Sequence, residues 1–444
     1  MKTTKNKVLM QLMVGAGIIA MGQSAFALDY DGYFRALAGS NSSKGGAACF
    51  QLTGAMSKYR LGNECQVYGE FGFGTEVAKT SDGADFRAYT MVAYNNPNIS
   101  GSTATTVDLA QVYVQANKVP ELMGASAWAG RRYYKREALG PNDFFYWSGQ
   151  GMGGGIEDLP VGGTMKFSYA WLRNDNLIPI TTGSTFVPTG MLAQNGSSSA
   201  NRHDFQLRGV PTNANGSLEL GVSAILKDAS SAVDTGTTPL HNGYGITVQH
   251  RQTGINGDGW NKLAIQYGTG PGTGGTNNAI GAIGDLTQSS DVHRFRVVEG
   301  AYAQLTPNFG AELVAIYQKD SGLTAAQTMI GSAENKVWTS IGTHAVYGIT
   351  PHFKIGADLG YDTVKPDNGA TRHLTKFTIA PTISSGPGVN ARPDLRFFYT
   401  YGKWNDAARV AADTASAGSA LSSTGAFGAA TSGSMIGIQA EAWF

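Results

Sequence analysis

Three aromatic residues lie two positions from a charge: Tyr33 before Arg35 in DYDGYFRA, Tyr68 before Glu70 in QVYGEFGFGTEV, and Trp443 after Glu441 in GSMIGIQAEAWF. Residues two apart share one face of a strand, so each ring would point the same way as its charge. Such a face combines stacking surface with charge-assisted hydrogen bonding and needs no reaction. The residues that would support other chemistry are poorly placed. Glu70, Asp143 and Glu157 give no sequence evidence of the paired carboxylates that sugar hydrolysis requires. The seven His show no ligand spacing, so neither a metal nor another cofactor is expected.

Two cysteines, Cys49 and Cys65, bracket CFQLTGAMSKYRLGNEC. In an exported chain such a pair most simply closes a loop as a disulfide; a two-Cys metal site would need His or acidic partners at a suitable spacing, and none lies nearby. Export follows from the start of the chain. Lys2, Lys5 and Lys7 precede the apolar run VLMQLMVGAGIIAMG, and Ala25-Phe26-Ala27 offers a small-x-small cleavage site. The expected division is a signal peptide at 1–27 and a single domain at 28–444. Removing the signal leaves 30 basic against 32 acidic residues, which argues against a nucleic-acid partner.

The elements that must carry these rings are strands. Opposite Tyr33 lie Tyr30, Gly32, Phe34 and Ala36; opposite Tyr68 lie Val67, Gly69, Phe71 and Phe73; opposite Trp443 lie Ile436, Ile438, Ala440, Ala442 and Phe444. Similar alternation recurs in MKFSYAW, in LELGVSA, and in the rows Tyr244/Ile246/Val248, Leu263/Ile265/Tyr267, Phe353 to Tyr361 and Leu395 to Tyr401. With less distinct candidates at 86–94, 110–117, 292–300, 309–317 and 338–347, the strand count falls in the middle to upper teens. Gly is 60 of 444 residues and only 15% are charged, a composition suited to short turns and aromatic rims. After the leader, no segment has the run of about 18 apolar residues that a membrane helix needs. Long Gly, Ser, Thr and Asn stretches at 172–202, 268–290 and 404–432 fit one loop-bearing rim of a barrel better than a compact soluble domain. The expectation is an all-β, large transmembrane antiparallel barrel, with a soluble all-β protein as the alternative.

Several stretches resemble the maltoporin family of sugar-selective outer-membrane porins: DYDGYFRA, CFQLTGAMSKYRLGNECQVYGE, WAGRRYYKREALGPNDFFYW with the following GQGMGGGIED, ARPDLRFFYTYGKW and the terminal AEAWF. The resemblance implies an 18-stranded barrel in the outer membrane of a Gram-negative bacterium, assembled as a homotrimer, with its third loop folded inward as a constriction. It implies passive diffusion of maltose and maltodextrins along a slide of aromatic rings. Tyr33, Tyr68 and Trp443 match slide positions, and Arg35, Arg60, Glu70 and Arg136 match the flanking ionic track. Asp143 matches an acid of the constriction loop. A pyranose has apolar C–H faces and a rim of hydroxyls, so rings and charges serve it together.

Departures from the family pattern bear on the solute. Phe145 stands where a constriction Tyr is typical, and Ala138 and Gly140 replace an acid and a His. Leu263 and Asn390 align with slide positions, yet neither is aromatic. NNPNISGSTATTVDL contains no ring to lend to a neighbouring subunit, and Ala110 occupies the place of an arginine. Arg132 is a weaker candidate for the track, while Tyr133, Tyr134, Tyr146 and Trp147 are expected to pack the loop or wall. A shortened slide leaves a general diffusion porin, or one selective for another oligosaccharide, as the main alternative; a secreted all-β carbohydrate-active enzyme is a more distant one.

Overall fold

The period-two rows become eighteen antiparallel strands in a computed structural model that describes residues 28–96, 105–174, 198–229, 239–275, 279–325, 327–328 and 333–444. The expected leader at 1–27, and most of NNPNISGSTATTVDL, lie outside the described residues. The first six strands are β1 (Leu28–Asn41), β2 (Val67–Lys79), β3 (Asp85–Asn96), β4 (Thr106–Val119), β5 (Ala125–Leu139) and β6 (Phe144–Gly162). Next come β7 (Met165–Asn174), β8 (Ser198–Pro211), β9 (Gly216–Ala229), β10 (Gly243–Ile255), β11 (Gly259–Thr269) and β12 (His293–Thr306). The last are β13 (Phe309–Ser321), β14 (Lys336–Thr350), β15 (Phe353–Pro366), β16 (Arg372–Ser384), β17 (Asp394–Trp404) and β18 (Ser432–Trp443).

Each strand pairs with its chain neighbours, and β1 also pairs with β18, so the sheet closes on itself. Closure removes both sheet edges. Phe444 takes part in it, exchanging backbone hydrogen bonds of 3.0 and 3.1 Å with Gly32. Most connections alternate in length, with 367–371 and 385–393 reversing the order. Turns such as 163–164, 256–258 and 307–308 mark one rim, and the long loops mark the other. Asn256 and Gly257 both have positive φ, the backbone that a tight turn between twisted strands requires.

The faces are inverted relative to a water-soluble protein. Ile438 (62%), Leu395 (58%) and Leu359 (50%) are exposed on the outside, whereas Arg296, Gln318 and Gln266 are completely buried on the inside. Charges at the centre and a continuous apolar exterior are stable only where lipid surrounds the wall.

Two segments fold into the lumen. The expected constriction is the distal part of the β5–β6 hairpin, where the strand register slips between Tyr133 and Arg136 and again between Glu137 and Ala138. It crosses to the opposite wall. Phe144 meets Trp338 edge-on at 5.3 Å, Tyr146 donates to Gln249 at 2.6 Å, and Gly221 leaves room for Trp147, whose ring a Cβ would approach to 2.5 Å. The expectation of one inward loop was incomplete, because residues 42–66 also lie against the inner wall. There Asp358 accepts from the Leu61 N–H, Lys376 donates to the Leu61 carbonyl, and Tyr59 pairs with Ser340. The Tyr59 ring lies over Gly342 and Gly360, where a Cβ would come within 2.2 and 2.0 Å of it. Cys49 and Cys65 are bonded and staple this loop, with a Cα–Cα distance of 5.8 Å. Residues 404–432 are more ordered than their composition suggests: α1 (Asp406–Ala415) is capped by Asn405, and Phe427 stacks on Phe50. Small residues at Ala408, Ala411 and Ala412 let the helix sit close to the wall.

Candidate functional site

The site is built by register. Across β18, β1 and β2, Trp443 lies opposite Tyr33 and Tyr33 opposite Glu70; one step along, Glu441 lies opposite Arg35 and Arg35 opposite Tyr68. Along each of the three strands a ring stands two residues from a charge, so rings and charges share one inner patch. Tyr33 is 6.2 Å from Tyr68 and 6.5 Å from Trp443 between ring centres, the latter pair only 25° from parallel. Trp443 is 40% exposed although it faces inward, so its ring is open to the lumen.

Arginines fix these rings from several elements. Arg35 lies 5.0 Å from the Tyr68 ring centre, Arg392 lies 4.0 Å from that of Trp443, and Arg60 reaches Tyr33 from the first loop. Glu441 holds Arg60, Arg396 and Arg392 at 2.8, 2.7 and 3.3 Å and accepts from the Tyr33 hydroxyl at 3.0 Å. Burial works against the Arg60 charge, but Glu64, Glu441 and Asp143 outweigh it and hold the guanidinium pKa well above its ordinary value. Arg60 thus stays cationic.

The hairpin supplies the facing side. Asp143 lies 3.6 Å from Arg35 and 4.0 Å from Arg60, and the Arg60 N–H donates to the Pro141 carbonyl at 3.0 Å. The two inward segments therefore meet at the constriction. Arg136 is stacked between Tyr133 and Phe145, 4.2 and 4.3 Å from their centres, and lies 3.8 Å from Glu70. Tyr33, Tyr68, Trp443, Arg35, Arg60, Glu70, Arg136, Asp143 and Phe145 all line one cavity of about 390 Å³. Its walls offer rings, fixed cations and fixed carboxylates, a set suited to repeated weak exchange of hydrogen bonds.

Other expectations resolve differently. Arg132 is committed to Glu157 at 2.5 Å and stacks on Tyr113 and Trp128. Tyr134, Tyr146 and Trp147 are buried in packing, and Tyr133 donates to Glu70 from the wall. Ala110 is buried. Asn390 lines a smaller cavity beside Trp443 and Arg392. Leu263 is corrected: it is exposed on the apolar exterior, where its strand alternation puts it, while Ala264 and Gln266 face inward. On the same strand, the ring missed by sequence reasoning is Trp260, which lies 4.9 Å from Lys262 Nζ and packs against the Tyr302, Val346 and Val389 cluster. Its signal was present, since Trp260 and Lys262 occupy the polar parity of β11.

Comparison with known proteins adds the family. The model of the LamB porin family matches residues 28–444. Among solved structures, OccK2 (OpdF) of Pseudomonas aeruginosa is 10% identical, covering 94% of this chain and 97% of that one, with a TM-score of 0.49. OmpF of Salmonella typhi, solved in complex with daunomycin, is 10% identical over the same shares, with a TM-score of 0.45. The anion-selective porin from Comamonas acidovorans is 8% identical over 94% of this chain and 100% of that one, with a TM-score of 0.46. The family match across the whole described barrel, together with its closed wall and polar lumen, makes this chain a member of the LamB porin family, an outer-membrane diffusion channel.

Proposed function

We propose that this channel is selective for sugars, with maltose and short maltodextrins as its solutes, in the outer membrane of a Gram-negative bacterium and as a homotrimer. The observation that carries the reading is the alternation of Trp443, Tyr33 and Tyr68 with Glu441, Arg35 and Glu70 on one inner patch, faced by the hairpin across one cavity. A glucosyl unit stacks a C–H face on a ring while its hydroxyl rim trades water for the neighbouring charges. Rings about 6 Å apart let the next unit engage before the last one leaves. Weak repeated sites favour flux over retention. Phe145 keeps a ring at the narrow point without the hydroxyl of a Tyr, so this wall contributes shape and an Arg136 contact instead of a donor. With few rings in line, short oligomers suit the site better than long ones.

The test is conductance of the purified protein in planar bilayers during titration with maltose, maltotriose, sucrose and glucose. Saturable closure by maltose and maltotriose is expected. Trp443→Ala should weaken it by about 1 kcal/mol, roughly fivefold in Kd. Open channels indifferent to all four sugars would make the protein a general porin.

A further inference from the structure

The exterior carries a repeated arrangement that the lumen does not explain. On β11, β12 and β13, Tyr267 lies opposite Phe295 and Phe295 opposite Lys319; on β15, β16 and β17, Tyr361 lies opposite Thr375 and Thr375 opposite Lys403. In both rows a His stands two residues before the middle position and pairs with the Tyr. Tyr267 and His293 share a hydrogen bond of 2.8 Å with rings 21° from parallel, and Tyr361 and His373 share one of 2.9 Å with rings 12° from parallel. The diagonal geometry places each His about 7–8 Å from its Lys between Cα atoms.

These rows stand where the wall changes character. Toward the short turns their strands present Leu263, Ile265, Leu313, Leu359, Ile379 and Phe397, all exposed. Toward the other rim β11, β13 and β17 enter the long connections 270–292, 322–335 and 405–431, while β15 and β16 are joined by the shorter 367–371. Lys319 and Lys403 are exposed and make no ion pair with any described residue, as is also true of Lys365, four residues beyond Tyr361 on the same face. The nearest outward carboxylate on these strands is Glu299, opposite Leu263 in the apolar zone; Asp291 and Asp367 belong to the loops. An aromatic belt marks the edge of the hydrocarbon, and a Lys just beyond it can extend its charge to headgroup level.

We propose that these two Tyr–His–Lys sets bind the phosphate of an anionic lipid in the leaflet on the long-loop side. In the tautomer with its proton on Nε2, the His accepts from the phenol at Nδ1 and presents Nε2–H as a second donor beside the ammonium. One phosphate oxygen meets the Lys and another meets the imidazole, while the acyl chains lie on the apolar rows below. A third Tyr–His pair, Tyr169 with His203 at 2.9 Å, has Val222 instead of Lys at the end of its row and lacks the ammonium half of the site.

The proposal is independent of which solute passes through the lumen. The purified barrel is placed in neutral detergent with phosphatidylcholine alone, with added phosphatidic acid, or with phosphatidylcholine and inorganic phosphate, and the midpoint of heat-modifiable migration is read. Phosphatidic acid should raise the midpoint, with no shift from either of the other two. Lys319→Gln with Lys403→Gln should lose that shift while keeping the wild-type open-channel conductance, which reports a folded barrel. Each single variant should lose part of the shift, which keeps the test available if the double variant does not fold. A full shift with inorganic phosphate, an equal shift with phosphatidylcholine, or a shift retained by the Lys variants would overturn the proposal.

Discussion

Glu441 has the most crowded role among single residues, since three arginines and the Tyr33 hydroxyl converge on it. Removing one member of a buried charged cluster leaves the others uncompensated. Glu441→Gln is expected to lower barrel stability by about 3 kcal/mol, read as a lower midpoint of heat-modifiable migration. The same change adds one net positive charge to the constriction. The reversal potential across a KCl gradient should therefore move toward anion selectivity, and an unchanged potential would place Glu441 outside the conducting path. At this scale the sequence was informative wherever parity was clear. Tyr33, Tyr68 and Trp443 could be assigned to the polar face because apolar residues fill the other parity of their strands. Leu263 shows the reverse case: alignment suggested a lumenal position, but strand parity had it outside, and the fold follows parity because exposing Leu to lipid is favourable and facing it to a polar lumen is not.

Loop 42–66 and the β5–β6 hairpin narrow the lumen by different means. The loop is stapled and hydrogen-bonded to the wall, while the hairpin is a continuous ladder bent by two register slips. A 16-residue separation between bonded cysteines contributes about 3 kcal/mol in the chain-entropy account. Cys49→Ser with Cys65→Ser should still close a barrel, because Asn63 also bridges Phe50 and Tyr59. Limited proteolysis within 43–48 should be faster in this variant, and an unchanged cleavage rate would show that the hydrogen bonds alone hold the loop. The inward course of this loop had a sequence signal that alternation could not use. Gly342 and Gly360 interrupt strands at the places where Tyr59 approaches the wall. Strands β5, β6, β8 and β16 were harder to read, because glycine runs, register slips, polar outward residues and Pro381 blur the period of two.

The whole molecule depends on the contrast between its two faces. Leu359, near the middle of β15, is half exposed on the outside, next in sequence to buried Asp358 on the inside. Leu359→Arg should cost about 2–4 kcal/mol if that surface meets the bilayer core, whereas Leu359→Ile should be nearly neutral. Refolding into phosphatidylcholine vesicles with urea titration measures both. Equal stabilities for Leu, Ile and Arg would show that the outer wall is not embedded in lipid.

The order of residues alone determines the all-β character, the inside and outside of most strands, the disulfide and the three inward rings. These follow from local parity, since alternate side chains of a strand point to opposite faces whatever lies around them. Tertiary structure decides what parity cannot express: that the rings and their charges fall beside one another across β18, β1 and β2, that two segments meet at Arg60 and Pro141, and that Tyr–His–Lys sets recur on the exterior. Each depends on strand register or on contact between segments far apart in the chain. Those relations are fixed only when the sheet closes, and pattern within one strand does not encode them.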